Sequence, residues 1–145
     1  MAWYNEIDTT KKFPLGHRAK DVNGNEYVYV KGVGSGASGS WVVFDEDYAT
    51  TLLTADEVGP VGIMMADLDA TTDFGWAQVW GKNTIAKTDT VAADKALYID
   101  GTAGRADDAD VAGDSIHGAF SMTADTSNVA TVFVAYPFVS DIAHD

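Results

Sequence analysis

The chain has 145 residues, 46% of them hydrophobic, and no cysteine: one ordinary domain's length with apolar material for a core, and no disulfide scaffold, thiol nucleophile or cysteine-ligated metal. The formal net charge is −13, and residues 40–145 hold four Lys/Arg against eighteen Asp/Glu. So acidic a body is repelled by nucleic-acid phosphates and anionic lipid, which excludes both as expected partners. No apolar run reaches the roughly 18 residues of a membrane helix, and residues 1–6 lack the layout of a secretory signal, so a soluble protein is expected.

Residues 1–25 read as an extended N-terminal arm, ahead of a single β-rich domain over 26–145. Trp3, Tyr4, Ile7 and Phe13 keep neither helical nor strand period, Lys11, Lys12, Arg18 and Lys20 cluster among them, and Pro14 and Gly16 oppose a regular helix. The stretch has too few contiguous apolar residues to bury itself, so its aromatics are expected to seek a partner's surface. A turn at 23–25 leads into a strand over 27–31, where Tyr27, Val28, Tyr29 and Val30 are strong β-formers. A Gly/Ser connector and a strand at 41–44 follow. Residues 50–58 are the one helix candidate, because Thr54 and Glu57 have capping-box spacing.

Further strands are expected at 61–65, 74–80, 96–99, 116–122 and 129–138, with Gly, Asp and Asn clusters between them. A period of two in 74–80 puts Phe74, Trp76, Gln78 and Trp80 on one face and Gly75, Ala77 and Val79 on the other. The small face suits close packing against another layer; the bulky face either covers a core or meets a neighbouring subunit. Seven or so short strands separated by turns give an all-β protein, a small sandwich or barrel.

No constellation carries catalysis. Residues 34–39 spell G-x-G-x-x-G, but a strand follows where a nucleotide site needs a helix to present its first amides to phosphate, so a strand connector is the better reading. Asp67, Asp69 and Asp73 lack the glycine and terminal glutamate of an EF-hand loop, and Asp107, Asp108 and Asp110 suit a solvated turn. His17, His117 and His144 lack zinc-ligand spacing. With no nucleophile elbow, phosphate-binding lysine loop or triad order, neither an enzyme nor a cofactor or metal site is expected.

The stretches 69–76 (DATTDFGW), 81–84 (GKNT) and 96–101 (ALYIDG), with 26–31 (EYVYVK) and 132–137 (VFVAYP), resemble small virion proteins of tailed bacteriophages that decorate the capsid. The resemblance covers most of the chain and is one of texture. It implies a compact β-rich, β-tulip-like body, a homotrimer on the outer surface of the head, and the major capsid protein as partner. It also implies an N-terminal arm that touches the shell, here with Trp3, Tyr4, Lys11, Lys12, Phe13, Arg18 and Lys20, and a subunit seam for which Trp76 and Trp80 are candidates. A tail, fibre or head-fibre structural or glycan-binding β domain is the first alternative; a hydrolase or sugar-binding enzyme on a β-sandwich, with Trp76 and Trp80 as a stacking platform and two aspartates as acid and base, is the second, and aromatic platforms are more often core or interface.

Overall fold

A computed structural model describes residues 2–142. Among them run ten strands and one 3-10 turn, Trp3–Asn5. The strands are β1 (Arg18–Lys20), β2 (Glu26–Lys31), β3 (Trp41–Phe44), β4 (Thr50–Leu52), β5 (Gly59–Met64), β6 (Phe74–Lys87), β7 (Ala96–Ile99), β8 (Ala106–Asp107), β9 (Ser115–Ser121) and β10 (Val129–Val139). Every strand pair is antiparallel. The protein is therefore all-β, as its alternating patterns and turn clusters require.

The sheet order is β1-β2-β6-β5-β10-β9-β7-β8, with β3 beside β5 and β4 beside β3. The long β6 holds this together. Its first half pairs with β2, placing Tyr29 opposite Trp76, and touches β5 at Ile63 and Met64; its second half pairs with β10. Since β10 also pairs with β5, the strands β5, β6 and β10 pair all round and the sheet curls on itself.

Strand β3 is buried on both faces, and its alternation divides the interior. Trp41 and Val43 join Ile63, Leu97, Ile116 and Val132 in one apolar core, while Val42 and Phe44 join Val28, Met64, Leu68 and Val79 in another. Burial of each large aliphatic side chain in such cores stabilises by about 1.5–3 kcal/mol. The small face of β6 behaves as its period demands: Ala77 and Val79 lie in the second core. A third cluster, Tyr27, Tyr29 and Trp76, forms on the other face of β2 and β6 and is roofed by the N-terminal segment.

The helix expected over 50–58 is not there. Thr50, Thr51 and Leu52 pair with Phe44, Val43 and Val42 as β4, and a turn follows. Thr54 and Glu57 do meet, the Thr54 hydroxyl donating to Glu57 Oε1 at 3.2 Å, but this side-chain contact is not a capping box, in which each side chain accepts from the other residue's main-chain N–H. Asp56, moreover, has φ of +68°, which ends any helix after a single turn. Pairing with buried β3 outweighs a local cap worth about 1 kcal/mol.

Candidate functional site

The N-terminal residues pack on their own chain. Asp8 and Phe74 exchange main-chain hydrogen bonds of 2.8 Å each way, Gly16 N–H donates to the Tyr29 carbonyl, and Arg18–Lys20 pairs with β2. Tyr4 stacks on Tyr27 with ring centroids 5.0 Å apart, and Trp3 and Phe13 meet Trp76 edge-on and tilted at 5.1 and 5.5 Å. The surface that these aromatics require is thus supplied by β2 and β6. Of the cations, Lys12 pairs with Asp8 at 3.1 Å and Arg18 with Glu26 at 3.7 Å, whereas Lys11 and Lys20 make no ion pair among the described residues.

Beneath this cover Trp76 is only 4% exposed, so it is core. Trp80 does not share that face: β6 carries one extra residue between the partners of Tyr27 and Glu26, so Trp80 pairs with Glu26, turns away from the cover and is 38% exposed. It begins a continuous aromatic strip across β6, β10 and β9. Tyr136 and Phe133 lie 5.2 and 5.7 Å from Trp80, and Phe120 stacks on Phe133 at 5.7 Å. Phe138, stacked on His117 at 4.7 Å, extends the strip. Phe120, Tyr136 and Phe138 are each close to half exposed, an uncommon arrangement for three aromatics on one face of a small domain.

The strip owes its shape to a break in register. Between Val134 and Phe138 strand β10 bulges, and Tyr136 adopts φ of +49°, a left-handed conformation that costs a bulky residue about 1–2 kcal/mol. Pro137, with no N–H to give to a ladder, fits this break. Opposite, Gly118 has φ of +77°, and any side chain there would come within 2.6 Å of the Ala135 carbonyl oxygen. The bulge turns Tyr136 out of strict alternation toward Trp80, where its hydroxyl donates to the Glu26 carboxylate; that hydrogen bond, then burial, raises the phenol's pKa.

The chemistry around the strip is equally uneven. In a chain with twenty-two acids, β6, β9 and β10 contain no Asp or Glu, while β6 carries Lys82 and Lys87. Elsewhere the acids serve the loops: Asp67 accepts from Ser38 N–H at 2.8 Å, Asp108 from Ala92 N–H at 3.0 Å, and Asp107 from Ala109 N–H at 3.1 Å. No group of three or more His, Asp or Glu side chains is placed to hold a metal ion among the described residues. The glycine-rich segment 34–39 is a connector that Gly39 N–H ties to the Met64 carbonyl, and it runs directly into β3. His17 stacks on Phe13, and His144 lies outside the described residues.

No sequence signal pointed to Tyr136, Phe133, Phe120 and Phe138 as one surface. Their strands were legible, but the meeting of rings from β6, β9 and β10 depends on register and on the bulge, neither of which alternation encodes. No protein family, curated protein or solved structure matches the chain.

Proposed function

We propose that the chain is a non-enzymatic structural protein of a tailed-phage virion that binds the major capsid protein and so decorates and stabilises the outer surface of the head as a homotrimer. The observation that carries the reading is the half-exposed aromatic strip from Trp80 to Phe120 on strands without a carboxylate. In this reading the strip is the seam between copies, because it is where another chain of the same −13 charge approaches with least repulsion and most apolar area to bury. The N-terminal face, with the partly exposed rings of Trp3 and Phe13 and with Lys11 and Lys20, turns to the capsid protein. Many copies on one particle multiply individually weak contacts.

The test is co-sedimentation of the protein with mature, undecorated shells, counting copies per particle, together with sedimentation equilibrium of the free protein. The expected result is saturable binding and a trimer. Trp80→Ala with Phe120→Ala should dissociate the trimer, and Lys11→Ala with Lys20→Ala should weaken shell binding. A well-folded protein that never binds shells would sink this reading and move attention to a tail or glycan-binding role.

A further inference from the structure

A slot opens between Trp3 and Phe13 over the buried ring of Trp76, with a volume of about 270 Å³. Trp3 and Phe13 are 37% and 39% exposed, so the slot is open to solvent. At its inner end stands Asp8, which is 6% exposed. The side chain is fixed: the Tyr29 hydroxyl donates to its Oδ2 at 2.7 Å, and the residue's main chain is bonded both ways to Phe74. Its other oxygen, Oδ1, faces the Lys12 ammonium at 3.1 Å, and Glu6 lies 3.8 Å from the same ammonium.

A buried carboxylate needs a cation or several donors. Here one partner is built in, the Tyr29 hydroxyl, while the balancing charge comes from a lysine whose side chain is 59% exposed. Only the carboxylate of this pair is buried; the ammonium end stands in solvent, where water or another cation can exchange for it. The walls are the rings of Trp3, Phe13 and Trp76, a residue type whose faces attract cations and stack with a flat guanidinium, and the charge of the whole chain favours cations further. We propose that the slot between Trp3 and Phe13 binds an organic cation, a guanidinium or ammonium group on an apolar stem, with Asp8 and Glu6 as its charge partners and Trp76 as its floor. Lys12 is the chain's own stand-in, holding the position that the ligand's cation takes. The proposal is independent of the particle to which the protein belongs.

The probe is N-acetyl-arginine methylamide, titrated into the full-length protein while the indole N–H signals of Trp3 and Trp76 are followed by NMR, with the uncharged citrulline analogue as control. Saturable shifts of both indoles with the arginine probe alone are expected. Lys12→Ala should tighten binding about threefold and Glu6→Gln loosen it about threefold, the strength of one exposed ion pair. Both substitutions lie at the surface, so the outcome does not hinge on Asp8→Asn, which also removes a fold contact. An arginine-containing hexapeptide that binds tighter than the capped amino acid would identify a protein side chain as the ligand, and equal affinity would identify a free small cation. Equal shifts with citrulline, or a Lys12→Ala protein that binds no tighter than wild type, would overturn the proposal.

Discussion

Asp107 and Asp100 are neighbours at the β7–β8 hairpin, close enough for a proton on one carboxyl to bridge to the other. Burial first, and then the Asp100 carboxyl, push Asp107 up to about 7. Burial also works upward on Asp100, but hydrogen bonds from the Thr102 amide and from Asp107 outweigh it and hold that group below the usual range. A carboxyl whose folded pKa is raised binds more protons folded than unfolded, so its stabilising contribution is complete below about 4 and is lost as pH rises to about 7. Asp107→Asn should remove this part of the pH dependence; thermal melts of both proteins between pH 4 and 8 should converge at the acidic end and separate toward neutrality, the variant melting higher. The two tryptophans of β6 form a second contrast at this scale. Trp76→Ala empties a core site and should cost about 3–5 kcal/mol, whereas Trp80→Ala should cost less than about 1 kcal/mol in the isolated chain, as read from urea midpoints.

Among the elements, the N-terminal segment changes most between sequence and structure. Its aromatics have no period because they do not belong to a helix or a strand; they cap rings that β2 and β6 present. Removing residues 2–20 uncovers Tyr27, Tyr29 and Trp76 and takes away the β1 partner of β2, so the shortened protein should lose about 3 kcal/mol or more and bind a hydrophobic dye, both measurable in one denaturant series. Seven strands were legible because Val, Ile and aromatic residues alternate between turn residues over four or more positions. Strands β1, β4 and β8 were not, since two or three residues cannot display a period, and β4 was masked by the capping-box spacing of Thr54 and Glu57. The division of the β6 faces was legible from period as far as Gln78 and fails at Trp80, where the extra residue opposite Glu26 shifts the alternation by one. That Trp76 is core while Trp80 is surface was not legible, because it depends on that shift of register and on a distant N-terminal segment that covers the face of Trp76.

For the whole molecule, charge and edge design act together. Apart from β2 and the longer strands, the sheet ends in β1, β4 and β8, edges of three, three and two residues, which leave little ladder for an unintended partner. A chain of −13 repels its copies over a distance of about 10 Å at 0.1 M salt, so assembly through the aromatic strip should strengthen as salt is added up to a few tenths molar. Sedimentation equilibrium across a salt series checks this; association that weakens with salt would place opposite charges at the seam instead.

The central position of β10 also bears on how the chain is made. Strands β5, β6 and β9 all pair with it, yet it is the last of the ten to leave the ribosome. Until residue 139 has emerged, Val61, Ile63, Leu97 and Ile116 lack the Val132 and Val134 that complete their core, and the ring of β5, β6 and β10 stays open. Folding that depends on such distant pairings is slow, in the millisecond-to-second range for β proteins of this kind. Commitment to the native state of this domain therefore waits for residue 139 to emerge, and until then the half-made sheet relies on its own acidic loops to keep nascent chains apart.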